Sequence, residues 1–123
     1  MTPRILIVDD EPHIVAVLSE ALQAAGFRAD GAADGATALA LVKDKLYDAA
    51  IVDFALPDMN GLMLHNRIRQ LDPELAVRSL FVSGEPQSAT SLDYYAAEGT
   101  SFFRKPFDVL EIVDAVRGML DRG

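Results

Sequence analysis

The sequence predicts an α/β fold in which a parallel β-sheet is covered by helices on both faces. Short apolar or β-prone runs alternate five times with helix-like segments along the 123 residues. Two of these runs, residues 5–8 and 49–52, are apolar throughout, which is typical of strands buried on both faces. Because a helix follows each strand, the connections favour right-handed crossovers and parallel pairing.

Five strands are predicted from these runs and from the turn-forming or charged residues that bound them. The second run is the weakest, because it is rich in alanine. In chain order, we expect the strands at residues 4–8, 28–32, 49–52, 76–82 and 101–104.

The first two helices are predicted from apolar spacing and from capping residues. Pro12 is a favourable early helical residue, and Gly26 is well placed to end the first helix in the left-handed conformation. Asp34 caps the second helix, which runs to about Lys45. The core-facing stripe of the first helix repeats at helical spacing and consists of Ile14, Val17, Leu18, Ala21, Leu22 and Ala25.

Three further helices complete the alternation. The turn chemistry of residues 56–61 precedes the third helix, which reaches Leu71. The fourth is expected at residues 87–98. Asp108 caps the last helix, whose apolar stripe consists of Val109, Ile112, Val113, Val116 and Leu120.

Composition limits the function classes that this chain can belong to. The net charge of −8 and pI near 4.5 argue against direct binding of nucleic acid, which needs clustered Lys and Arg. The absence of cysteine excludes disulfides, thiolate metal sites and cysteine nucleophiles. No apolar run approaches the ~18 residues of a membrane span, and no signal-peptide core precedes the first strand. We therefore expect a cytoplasmic protein.

Charged residues follow three of the predicted strands. Asp9 and Asp10 come directly after the first strand, Asp53 after the third and Lys105 after the fifth. Since ligands bind beyond the carboxyl ends of parallel strands, these side chains should converge at one edge of the sheet. Carboxylates crowded at a water-accessible rim repel one another unless a cation joins them. The pattern predicts a site for a hard metal ion beside an aspartate that could attack phosphorus.

Each of these residues also has a common structural explanation. A strand-end aspartate such as Asp53 usually caps a helix or a turn, and one of the Asp9–Asp10 pair could cap the first helix while the other is solvated. A lone Lys105 could simply extend into solvent, and Ser83 could cap a loop. The two histidines, His13 and His65, lack metal-ligand spacing, so we expect both at the surface.

Four strings in the right order decide between these readings. They are Ile-Leu-Ile-Val-Asp-Asp-Glu-Pro at residues 5–12, Asp-Phe-Ala-Leu-Pro-Asp-Met-Asn-Gly at 53–61, Ser-Gly at 83–84 and Phe-Phe-Arg-Lys-Pro-Phe at 102–107. Together they resemble the receiver domain of two-component response regulators, such as chemotaxis regulators, over essentially the whole chain. The resemblance implies one flavodoxin-like domain over residues 1–123, with five helices and strand order 2-1-3-4-5.

The resemblance also implies the roles of the site residues. Asp53 would accept a phosphoryl group from a phosphohistidine on a sensor histidine kinase or phosphotransfer protein. Asp10, Asp53 and the backbone carbonyl of Ala55 would ligate Mg²⁺ or Mn²⁺, with Asp9 acting through a water molecule. Lys105 and Ser83 would hold the phosphoryl oxygens.

By the same resemblance, Ser83 and Phe102 would form a switch that alters the surface of the fourth helix, fifth strand and last helix. That surface would serve a partner, a homodimer or an output domain. Phe102 stands where many relatives have tyrosine, so it offers no hydroxyl. Ala55 cannot shield an attacking water through its side chain, which leaves the dephosphorylation rate open. The family also points to a cis peptide between Lys105 and Pro106.

Three rival functions are weighed against this one. A haloacid-dehalogenase-type phosphatase needs a second aspartate where Ala55 stands. A dinucleotide or flavin site needs a phosphate-cradling loop after the first strand, where this chain has acidic residues. A receiver-like interaction module that works without phosphorylation typically lacks one of the acidic pair, the acceptor or the lysine, and all are present here. As a phosphorylated receiver domain, the protein would be a signalling switch that catalyses only its own phosphoryl transfer and dephosphorylation. No output domain follows the last helix, and the sequence does not decide whether this receiver stands alone or is cut from a longer protein.

Overall fold

The computed structural model describes residues 2–84 and 101–122. Five parallel strands form one sheet in the order β2-β1-β3-β4-β5. They are β1 (Arg4–Val8), β2 (Arg28–Ala32), β3 (Ala49–Asp53), β4 (Ser79–Ser83) and β5 (Phe102–Arg104). The helices of the described residues are α1 (Pro12–Ala24), α2 (Gly35–Asp44), α3 (Gly61–Leu71), a short α4 (Pro73–Val77) and α5 (Val109–Arg122). The predicted fold class and strand order are confirmed.

Two apolar layers enclose the sheet, one on each face. β3 and β4 are buried along their whole length and β1 from Ile5 onward, because their side chains point alternately to two covered faces. One layer joins Leu6, Val52 and Phe81 to α2, α3 and α4. The other joins Ile7, Leu80 and their neighbours to α1 and α5. The uniformly apolar runs of the sequence follow from this double burial.

Glycine and capping residues fix how the chain enters and leaves its helices. Gly26 has φ +95° after α1, as predicted. The side chain of Asp34 accepts a hydrogen bond from the Thr37 N–H at the start of α2. At Gly61, a Cβ would lie 2.9 Å from the Cα of Phe54, so only glycine lets α3 begin directly against the end of β3. This close approach holds α3 beside Asp53.

The predicted strand at 76–82 is partly wrong, because Ala76 and Val77 belong to α4 and β4 begins only at Ser79. Pro73 occupies the first turn of α4, and the side chain of Asp72 accepts from the Leu75 N–H at 3.1 Å, so this segment starts as a helix. Strand β5 is one residue shorter than expected, and the predicted helix at 87–98 lies outside the described residues. The cis peptide between Lys105 and Pro106 is confirmed.

His65 is buried, contrary to the expectation that it lies at the surface. Its side chain is enclosed between α3, α4 and β4 and only 1% exposed. Nε2 donates to the Ala76 carbonyl at 2.7 Å, and the ring packs edge-on against Phe81, with centroids 5.2 Å apart. His13 is exposed, as predicted. Among the described helices, none is both long and apolar enough to cross a bilayer.

Candidate functional site

The loops at the carboxyl ends of β1, β3 and β5 bring the predicted charged residues together. Asp9, Asp10 and Asp53 each offer a carboxylate oxygen, and these oxygens lie within 4.8 Å of one another. The Lys105 ammonium lies 2.9 Å from Asp9 Oδ2 and 3.2 Å from Asp53 Oδ2. The convergence predicted from the strand ends is thus present in the structure.

The carboxylates differ in their exposure. Asp9 and Asp53 are 2% and 4% exposed, whereas Asp10 lies at the surface. The expectation of carboxylates crowded at a water-accessible rim therefore holds for Asp10 but not for Asp9 and Asp53, whose side chains are buried. Asp10, Asp53, Ala55 and Lys105 line an open cleft of about 620 Å³. A small anion could reach Asp53 through this cleft.

Glu11 forms the shortest ion pair with Lys105, although the sequence predicted no role for it in the site. Its Oε2 lies 2.6 Å from Lys105 Nζ. This pairing lowers the pKa of the Glu11 carboxyl. Burial by itself would lower the pKa of Lys105, but Glu11, Asp9 and Asp53 outweigh burial and raise it. The lysine therefore stays charged, and it is shared among three carboxylates.

Asp53 carries the most perturbed carboxyl group of the site. Burial, followed by the nearby charge of Asp9, raises its pKa to about 6, and Lys105 only partly opposes this shift. The ionised form of Asp53 is thus costly in the metal-free protein. A positive charge added near Asp53 would therefore stabilise its ionised carboxylate.

The donor set fits a hard divalent cation. Asp9 Oδ1 accepts the backbone N–H of Glu11 at 2.9 Å in the turn before α1, but α1 has no side-chain cap, so the alternative that one aspartate of the pair caps this helix is wrong. Asp9 Oδ2 is buried, and its near partner among the described residues is the Lys105 ammonium, with which it forms an ion pair at 2.9 Å. Three carboxylates beside one lysine form the oxygen-rich arrangement that Mg²⁺ binds.

The predicted switch residues lie behind the cleft. Ser83 is buried at the end of β4, and its carbonyl accepts the Lys105 N–H at 2.8 Å. Phe102, paired in register with Phe81, is half-buried and packs against the apolar layer that contains α3. Neither residue is among the described residues that line the cleft, although Gly84 is. The structure therefore brings the acidic residues and the lysine together, with the serine one residue away from the wall.

Comparison with known proteins gives a consistent result. A family model described as the response regulator receiver domain matches residues 5–117. The sporulation initiation phosphotransferase F of Bacillus subtilis is 32% identical over 120 residues, which cover 98% of this chain and 95% of that protein. The probable transcriptional regulatory protein TcrX of Mycobacterium tuberculosis is 32% identical over 118 residues, covering 96% of this chain and 50% of that protein.

Solved structures agree in fold. A response regulator receiver domain protein (CheY-like) from Methanospirillum hungatei superposes with a TM-score of 0.91 at 26% identity, covering 99% of this chain and 96% of that one. The chemotaxis protein CheY4 of Vibrio cholerae gives 0.84 at 27% identity, covering 98% of both chains. The chain spans about half the length of TcrX and of several other curated transcriptional regulators that it matches.

Proposed function

The chain belongs to the family of response regulator receiver domains, and from this premise we propose that Asp53 is its phosphoacceptor. Receiver domains of two-component systems are signalling modules and not conventional enzymes. The donor would be a phosphohistidine on a sensor histidine kinase or phosphotransfer protein, and the whole chain, residues 1–123, would form the one receiving domain. The observation that carries the proposal is the buried Asp53 carboxylate, flanked by Asp9 and by the Lys105 ammonium at 3.2 Å.

The transfer is a substitution at phosphorus. A carboxylate oxygen of Asp53 forms the new P–O bond of an acyl phosphate while the P–N bond to the donor histidine breaks, and the departing imidazole nitrogen takes up a proton. Asp53 must be ionised to attack, and nearby positive charge favours the ionised form against burial and the charge of Asp9, which raise its pKa. Lys105 supplies one such charge, and it remains protonated for the reasons given above.

Mg²⁺ would be held by Asp10, Asp53 and the carbonyl of Ala55, with Asp9 acting through a water molecule; the carboxylate cluster and the place of Ala55 on the cleft wall support this set. When bound, the ion would neutralise the carboxylates and stabilise the charge that develops on the phosphoryl oxygens. Mn²⁺ would substitute, since it also takes oxygen ligands. The metal-free site has three carboxylates and one lysine, and this excess of negative charge supports the binding of a cation.

The acyl phosphate would change the contacts of Lys105 and Ser83. A phosphoryl group adds about −1.5 to −2 charges and three acceptor oxygens. The lysine would exchange its carboxylate partners for one of these oxygens, and the Ser83 hydroxyl would donate to another. The hydrogen bond from the Lys105 N–H to the Ser83 carbonyl supports coupled movement of the two residues, because it ties the ends of β4 and β5 together.

Phe102 would connect phosphorylation of the site to a change at the protein surface. If Ser83 moves toward the phosphoryl group, space opens beneath β4 and β5, and Phe102 turns inward to fill it. This change would remodel the surface formed by β5, α5 and the predicted helix at 87–98. A partner, a second copy or an output domain would bind there, and a shift between two packings that differ by a few kcal/mol suffices.

Intact mass spectrometry tests the proposal. With acetyl phosphate and Mg²⁺ the protein should gain one phosphoryl group, and with EDTA it should gain none. Asp53→Asn should abolish the adduct, while Asp44→Asn, at an exposed residue near the end of α2, should leave it unchanged. An undiminished adduct in Asp53→Asn would refute the assignment. No adduct in the parent protein, with Mg²⁺ bound, would favour an interaction module that works without phosphorylation.

A further inference from the structure

Asp58 links the phosphoacceptor loop to the first turn of α2. It lies in the loop between β3 and α3, and both of its carboxylate oxygens accept backbone N–H groups of another element. Oδ1 accepts from Gly35 and Oδ2 from Ala36, each at 2.9 Å. These two N–H groups lower the pKa of the Asp58 carboxyl, so it stays ionised at neutral pH. The first N–H groups of an α-helix have no acceptors within the helix, so Asp58 provides acceptors that α2 itself lacks.

The adjacent residue makes a second contact with the same helix. A Cβ on Gly35 would lie 2.5 Å from the sulfur of Met59, so the Met59 side chain covers the first turn of α2 at the closest approach that glycine permits. Two consecutive loop residues are thus docked on α2. The loop is anchored at its tip as well as at its ends.

The base of the same loop carries the site residues. The Gly61 N–H donates to the Phe54 carbonyl at 2.7 Å, and Ala55 and Asn60 form an antiparallel bridge. The Ala55 N–H donates to Asp53 Oδ1 at 3.3 Å. These bonds make the loop a narrow, closed hairpin. One short bonded loop therefore carries Asp58 near its tip and, at its base, Ala55, which lines the cleft.

We propose that Asp58 is a positioning residue of the cation site: by capping α2 with both oxygens, it fixes the tip of the β3–α3 loop and thereby holds Ala55 in the arrangement that receives the ion. This inference rests on the proposed function, since it assumes that the Asp9–Asp10–Asp53 cluster binds Mg²⁺. It also predicts reciprocity. If the cap favours ion binding, ion binding must favour the cap to the same extent.

Asp34 provides a matched control. It caps the same helix by accepting the Thr37 N–H at 2.7 Å, but it precedes α2 directly, and among the described residues its side chain makes no hydrogen bond to the loop. Asp34→Ala and Asp58→Ala each remove one negative charge and one cap of α2. If Asp58 acted only by stabilising this helix, or only through its charge, the two variants would behave alike.

The first experiment measures the Mg²⁺ dissociation constant of the full chain by NMR titration at 0.15 M salt. Asp58→Ala should raise it about three- to tenfold, the range expected for loss of a helix cap that is coupled to binding. Asp58→Asn should lie between the parent and Asp58→Ala, because one amide oxygen still accepts one N–H. Asp34→Ala should stay within about twofold of the parent, although both alanine variants lower the melting temperature.

The second experiment follows amide hydrogen exchange at Gly35 and Ala36. Mg²⁺ should slow exchange at both amides in the parent protein and in Asp34→Ala, and this effect should disappear in Asp58→Ala. Equal Mg²⁺ dissociation constants for the two alanine variants, or an unchanged constant in Asp58→Ala, would overturn the inference while leaving the proposed function intact. Failure of Mg²⁺ to bind the parent would overturn both.

Discussion

Replacing Asp53 with asparagine should make the metal-free protein more stable at neutral and alkaline pH. The change removes a buried charge while conserving the shape of the side chain. In the folded protein, burial and the charge of Asp9 raise the pKa of Asp53 from 3.8 to about 6. Each pKa unit corresponds to about 1.36 kcal/mol, so ionising this group costs the folded state roughly 3 kcal/mol at most.

The sign follows from linkage. A carboxyl whose pKa is higher in the folded state than in the unfolded state binds its proton more tightly when folded. The stability that this preference contributes is fully present below about pH 4 and is lost as the pH rises through about 6. Asparagine is neutral throughout. The variant should therefore be more stable than the parent by about 1–3 kcal/mol at pH 8, and the difference should shrink toward pH 4.

Urea unfolding in EDTA at pH 8 and pH 4.5 measures this difference. Asp44→Asn is the control, since this exposed side chain should change the free energy of unfolding by no more than ~0.5 kcal/mol. Added Mg²⁺ should reduce the difference in the free energy of unfolding between the variant and the parent at pH 8, because only the parent retains the full set of Mg²⁺ ligands. A parent that is equally stable or more stable at pH 8 in EDTA, or a difference that does not depend on pH, would refute the reasoning.

Three further predictions concern the metal, the loop and the switch. Asp10→Ala should weaken Mg²⁺ binding, measured by NMR titration, far more than Glu11→Ala, because Glu11 contacts the lysine and lies outside the carboxylate cluster; equal effects would contradict the role of Asp10. Gly61→Ala should lower the free energy of unfolding by about 1–3 kcal/mol, because its Cβ would strike backbone, whereas Gly118→Ala, with open space at this position, should not. Beryllofluoride, as a phosphoryl mimic, should shift NMR signals around residues 83–85 and 94–107, and shifts confined to the metal pocket would exclude the proposed switch.

The central cluster could be predicted from sequence because sheet geometry determines it. Parallel strands end at the same edge, so Asp9, Asp53 and Lys105 had to lie near one another once strands 1, 3 and 5 were identified. The caps at Asp34 and Gly26 were predictable for a similar reason, since each depends on a few neighbouring residues. The double burial of the central strands followed from their unbroken apolar runs.

Contacts between distant segments were not predictable in this way. The Glu11–Lys105 ion pair and the Asp58–Gly35 hydrogen bond each depend on how two distant segments pack. No local sequence pattern predicts either contact. The spacing of His65 from Leu64 and Ile68 on α3 was a usable signal for its burial. The expectation of exposure rested only on the lack of metal-ligand spacing, and the sequence did not predict α4, whose Ala76 carbonyl accepts the hydrogen bond from His65.

The most direct test of the account is to locate the modified residue. After treatment with acetyl phosphate and Mg²⁺, borohydride reduction converts an aspartyl phosphate to homoserine, which tandem mass spectrometry can assign to one position. The account predicts homoserine at residue 53, dependent on Mg²⁺, and none at positions 9, 10 or 58. Reduction at another aspartate, or an equal yield in EDTA, would contradict the claim that Asp53 is the phosphoacceptor of a cation-dependent receiver domain.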